Sequence, residues 1–120
     1  LVKQANAVLA RLVELSPGDA HARHNLAVSC FKLKRMREGV RHCRKALKIK
    51  PDYPLALYNL ALAQMRLGRR KRARRFAARA LALAPKDANI RRLWRRLGIG
   101  GIWAKLMGRI LPRRSTKHAD

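Results

Sequence analysis

Leu47-Lys48-Ile49-Lys50-Pro51 decides the fold. A matching phrase stands 34 residues earlier, Val13-Glu14-Leu15-Ser16-Pro17, and another 34 residues later, Leu81-Ala82-Leu83-Ala84-Pro85. A proline at a fixed interval ends each unit, because it carries no backbone N–H and restrains the residue before it to extended backbone. A unit that recurs at this interval is a single supersecondary piece, and it buries its apolar face only against its neighbours.

The same ruler aligns the small residues. Ala5, Gly39 and Ala73 fall at one position, and Ala46 and Ala80 at another, where Leu12 is the exception. Asn25-Leu26-Ala27 falls on Asn59-Leu60-Ala61. Apolar residues at Leu26, Cys30 and Leu33, then at Val40, Cys43 and Leu47, carry the spacing of two amphipathic helices per unit. Small residues at repeated sites let helix backbones approach closely, with larger neighbours interlocking around them.

This pattern resembles the tetratricopeptide repeat, a helix-turn-helix unit of 34 residues. The resemblance rests on Asn25-Leu26-Ala27, Gly39, Ala46 and Pro51, then on Asn59-Leu60-Ala61, Leu67-Gly68-Arg69, Ala73, Ala80-Leu81 and Pro85. It spans about residues 1–97 and departs from the family at Cys30, Cys43, Gln64 and Ala77, where aromatic residues are common. It implies an all-α, right-handed superhelical solenoid of antiparallel helix pairs, with about seven helices here.

Organisation follows from the register. Residues 1–18 align with the second helix of a truncated repeat, so the chain is expected to start within a unit. Full repeats follow at 20–53 and 54–87. Residues 88–111 read as a degenerate capping repeat with a final amphipathic helix, and 112–120 as a polar tail. Asp19, Asp52 and Asp87 stand where they could cap first helices, and Gly68 where two helices turn. Trp103 is the expected packing anchor of the final helix, whose Lys105 and Arg109 also suit an anionic membrane surface.

Thirty Lys and Arg against six Asp and Glu give a formal charge of +24. Shifted by the repeat, Lys3, Arg37 and Lys71 coincide, as do Arg41 and Arg75, and Arg11, Lys45 and Arg79. Within a helix these positions are four apart and share a face. The resemblance puts second helices on the outer, convex side, so these eight residues are expected to form a convex basic ladder. Such a ladder suits an acidic partner or assembly; the alternative is a nucleic-acid backbone or an anionic membrane surface.

The resemblance also implies a concave groove, lined by first helices, that holds a peptide segment. It maps the groove to His24, Asn25, Val28, Phe31, Lys32, Tyr58, Asn59, Leu62, Met65, Arg66, Arg92 and Arg96, with His21, Leu55 and Asn89 beside them. Some members clamp a terminal carboxylate with Lys and Asn side chains, and only Asn59 fits that set here. Apolar groove residues beside Lys32, Arg66 and Arg92 suit a ligand with apolar anchors and acidic flanks.

Cys30 and Cys43 with His21, His24 and His42 raise the question of zinc. Both cysteines occupy core positions of one repeat and read as small buried hydrophobes, so no metal and no cofactor is expected. Six acidic residues with no pair sharing a face, and no Gly-rich phosphate loop after a strand, point away from an enzyme. The expectation is a cytoplasmic, non-catalytic interaction scaffold. An open repeat face near Leu9, Leu12 and Val13 suits end-to-end self-association.

Overall fold

A computed structural model describes residues 1–98, and the expectations for the final helix, Trp103 and the polar tail lie outside those residues. The described chain is all-helical: α1 (Val2–Leu15), α2 (Ala20–Lys32), α3 (Met36–Ile49), α4 (Pro54–Arg66), α5 (Arg70–Leu83) and α6 (Ala88–Arg96). Each helix packs on the next, and α2 also touches α4.

Pro17, Pro51 and Pro85 each lie two residues beyond a helix end. The intervening caps Ser16, Lys50 and Ala84 share one extended conformation, with φ/ψ of −137/73, −132/89 and −138/68. That is the backbone a following proline imposes.

The turns inside the units also repeat. Leu33 and Leu67 close α2 and α4, and the next residue enters the left-handed region, Lys34 at φ 64° and Gly68 at φ 77°. Arg35 N–H then reaches Cys30 O and Arg69 N–H reaches Gln64 O, both at 2.8 Å, which completes Schellman caps. Glycine adopts this conformation freely, whereas a side chain there costs about 1–2 kcal/mol. The first repeat therefore makes with Lys34 the turn that the second makes with Gly68.

Asp19 caps α2 by accepting from Ala22 N, and Asp87 caps α6 by accepting from Asn89 N and Ile90 N. Asp52 does not cap. Helix α4 starts at Pro54 behind Tyr53, and a proline in the first position has no N–H to be capped.

Apart from the exposed Ala5, the small-residue columns lie in the core. Ala27, Ala61, Ala46, Ala73 and Ala77 are fully buried; Ala27 shares a core cluster with Leu57 and Leu60, and Ala61, Ala73 and Ala77 share one with Leu93 and Leu97. Burying a leucine contributes about 1.5–3 kcal/mol. A Cβ at Gly39 would overlap the Phe31 ring and come within 3.0 Å of Ala27 O, so Phe31 occupies the volume that a methyl group fills at Ala73.

Candidate functional site

On the inner face a depression lies on each side of α4. The first, about 300 Å³, lies between α2 and α4 and is lined by Val28, Phe31, Lys32, Asn59, Leu62 and Arg66, with Lys34 and Met36 from the turn. The second, about 550 Å³, lies between α4 and the start of α6. Leu55, Tyr58, Asn89 and Ile90 line it with Lys50, Tyr53 and Ala84.

Of the expected groove residues, Val28, Phe31, Lys32, Asn59, Leu62 and Arg66 share the first pocket, and Tyr58 lies in the second. Asn25 is exposed and lines a shallower depression between α1 and α2 with Leu9 and Val28. Met65 packs against the Ala61 and Leu93 cluster. Arg92 and Arg96 are exposed on α6 and line neither pocket, and Arg92 Nη1 donates to Asn89 Oδ1 at 3.1 Å. Lys34, Met36 and Lys50 escaped the sequence reading because they come from turns and a second helix. The repeat register of first helices carries no signal for them.

His24 corrects the expectation most plainly. It is 2% exposed and lies beneath the inner face, bonded on both ring nitrogens. Asn59 Nδ2 donates to His24 Nε2 at 2.9 Å, so His24 Nδ1 carries the proton and donates to Tyr53 Oη at 3.2 Å. The Tyr53 hydroxyl donates onward to His21 Nδ1 at 2.9 Å. Both ring nitrogens of His24 are thus satisfied with its imidazole neutral. Burial, and then the neighbouring His21, hold the His24 pKa below its ordinary value. Asn59 therefore offers a ligand only what His24 leaves free. Leu93, where the carboxylate-clamping members of the family bear a cation, is buried, so no clamp of that kind is assembled.

On the outer face, Arg72, Arg75 and Arg79 of α5 surround Phe76, and one cation of α3 joins them across a depression of about 410 Å³. That cation is Arg44 and not Arg41 or Lys45, which are exposed but do not line the depression. Lys3, Arg11, Arg37 and Lys71 are likewise exposed. Among the described residues the one ion pair joins Arg11 to Glu14 at 3.6 Å, so the ladder's other seven cations have no acidic partner there.

Cys43 is fully buried and donates to Ala56 O at 3.2 Å, with burial pushing its thiol up to about 12. Cys30, Glu38 and His42 bring ligand atoms within 4.8 Å of one another. Glu38, one turn before His42 on α3, was not singled out in the sequence because a lone carboxylate has no motif. Three donors of this kind are chemically suited to zinc. Burial raises the Cys30 pKa, the Asn6 amide opposes it, and the Glu38 charge adds to the rise. Burial, then Arg41 and Arg23, hold the His42 pKa below its ordinary value. The nearby cations Arg23, Arg35 and Arg41 oppose a divalent ion there.

At the start of the array, Leu9 and Val13 pack inward against Leu26 and Cys30, while Val8, Leu12 and Leu15 are exposed. Of the residues expected on an open apolar face, Leu12 is exposed beside Val8 and Leu15, whereas Leu9 and Val13 are turned to α2. No helix among the described residues is long and apolar enough to cross a membrane.

Two descriptions of the tetratricopeptide repeat match the sequence, one over residues 34–97, more than half the chain, and one over residues 2–54. No curated protein sequence matches it. Among solved structures, the fold is similar to the first TPR of Spaghetti (RPAP3) bound to the HSP90 peptide SRMEEVD. That match has 20% identity over 81% of this chain and 77% of that one, with TM-score 0.79. The Arabidopsis OM64 TPR domain is similar at 23% identity over 80% and 79%, with TM-score 0.77. The TPR2B domain of yeast Sti1, in a complex with pHsp70, is similar at 21% identity over 81% and 82%, with TM-score 0.74.

Proposed function

The chain belongs to the tetratricopeptide repeat family, and from that premise we propose that it is a non-catalytic, cytoplasmic scaffold that binds a peptide segment on its inner face. The observation that carries this reading is the pocket between α2 and α4, where Val28, Phe31, Leu62 and Met36 form an apolar floor and Lys32, Lys34 and Arg66 stand around it. An apolar anchor enters the floor, and acidic residues flanking it meet the three cations. The second pocket, with Tyr58 and Leu55, takes a further apolar side chain from the same segment.

Solved domains of similar fold include ones bound to HSP90 and HSP70 peptides, which supports a peptide as the ligand class. The chaperone-type carboxylate clamp is not part of the reading, because His24 holds Asn59 and Leu93 replaces a cation. Recognition runs instead through side-chain anchors within the segment. Two free, buried thiols suit a reducing compartment. The outer basic face serves a separate anionic partner, and the exposed Val8, Leu12 and Leu15 stripe serves end-to-end contact between copies.

Panning a random-peptide library against the wild-type protein, with Leu62→Glu as the counter-selection, tests the groove. Enriched peptides should carry an aromatic or aliphatic residue next to Asp or Glu and should not bind Leu62→Glu. Enrichment of peptides that bind both proteins equally would exclude the groove as the site.

A further inference from the structure

The outer depression is walled by four cations, all of them arginines. Arg72, Arg75 and Arg79 recur at positions i, i+3 and i+7 of α5, which places them on one face, and Arg44 closes the depression from α3. Phe76 lies between them, partly buried: it packs against the core and also lines the depression. Among the described residues, none of the four guanidinium groups is hydrogen-bonded or ion-paired to protein. The nearby guanidiniums of Arg70 and Arg74, by contrast, donate to the carbonyls of Arg96 and Leu97.

Like charges gathered in one concavity repel one another, and an anion that bridges them turns that repulsion into attraction. The identity of the cations narrows the anion. A guanidinium presents a rigid fork of N–H donors that matches phosphate oxygens two at a time, and it remains charged at every physiological pH. Seven residues separate Arg72 from Arg79, about 10 Å of helix at ~1.5 Å per residue.

We propose that the Arg44, Arg72, Arg75 and Arg79 depression is a binding site for the phosphodiester backbone of a single nucleic-acid strand, with Phe76 available beneath one base. This gives the outer-face half of the reading above a definite ligand. A strand is favoured over a membrane by the lining itself: no exposed aliphatic side chain borders the depression to enter a bilayer. It is favoured over an acidic peptide by the aromatic floor, since bases stack on aromatic rings and carboxylates do not.

Fluorescence anisotropy with a labelled single-stranded oligonucleotide of about 12 nucleotides, a length that spans such a site, tests this on the full chain. Four neutralised phosphates give a log–log salt slope near −2.8, about 50-fold weakening between roughly 50 and 200 mM salt. Arg75→Ala should reduce the slope by about 0.7, and Arg91→Ala, an exposed α6 arginine outside the depression, should leave it unchanged. Equal effects of the two substitutions would overturn the site in favour of diffuse charge. A poly-glutamate peptide or anionic vesicles competing as well as unlabelled oligonucleotide would overturn the ligand. Leu62→Glu leaves the slope unchanged in either case, so failure of the inner groove and failure of this site are separate results.

Discussion

Asn59 and His24 are joined across the boundary between two repeats, with the Asn59 amide donating to His24 Nε2 at 2.9 Å. The bond couples α2 to α4 directly beneath the inner face. Its proton arrangement requires neutral His24, and burial disfavours the imidazolium.

Acid should therefore loosen this boundary. The folded-state pKa of His24 lies below the unfolded value of about 6.5, so the unfolded chain binds more protons in the window beneath 6.5 and stability rises with pH there. Thermal unfolding followed by circular dichroism should show the midpoint falling as pH drops from about 7.5 to about 5. In His24→Gln this dependence should be flatter. An unchanged pH profile in that variant would remove His24 as the cause.

Lys34 occupies the left-handed turn position that Gly68 fills in the next unit. Lys34→Gly should stabilise the fold by about 1 kcal/mol, and Gly68→Ala should destabilise it by a similar amount. Urea unfolding of the two variants checks the signs; a loss of stability in Lys34→Gly would contradict the strain argument.

Gly39 and Phe31 share one packing volume. Alanine at 39 gains about 0.5–1 kcal/mol of helix preference, but overpacking costs about 1–3 kcal/mol. Gly39→Ala should thus be destabilising alone and stabilising once Phe31→Met copies the Met65 and Ala73 pairing of the next repeat. A double-mutant cycle with no coupling would show that the ring moves aside without cost.

Gln64 is fully buried; its Oε1 accepts from Arg69 Nη1 at 3.3 Å while its Nε2 has no partner among the described residues. A buried unpaired donor costs about 1–3 kcal/mol. Gln64→Leu should raise the denaturation midpoint, because it removes that cost at similar volume. A lower midpoint would mean that the Arg69 bond matters more.

The helical array was legible because its determinants are local and periodic. The proline at each unit's end fixes a turn, and Ala27, Ala46, Ala61 and Ala80 mark the close approaches wherever they recur. The inner site was only partly legible. Position in the repeat identified Val28, Phe31, Leu62 and Arg66 as inner-face residues, but the burial of His24 depends on Tyr53, which belongs to the connection between repeats. The outer depression followed the same pattern. Repeat arithmetic paired Arg75 with Arg41, whereas the residue of α3 that lines the depression with Arg75 is Arg44. Lys34, Met36 and Lys50 reach the inner pockets from turns and a helix end, where the period of a single helix face gives no guidance.

The central claim is that the inner face binds peptide and the outer face does not. Amide chemical-shift mapping of the isotopically labelled protein, titrated with a peptide from the library selection, tests it most directly. Binding in the groove predicts the largest shifts at Val28, Phe31, Leu62 and Arg66, with Arg44, Arg75 and Arg79 unmoved. Shifts centred on the arginines of α3 and α5, with the inner face silent, would contradict the account.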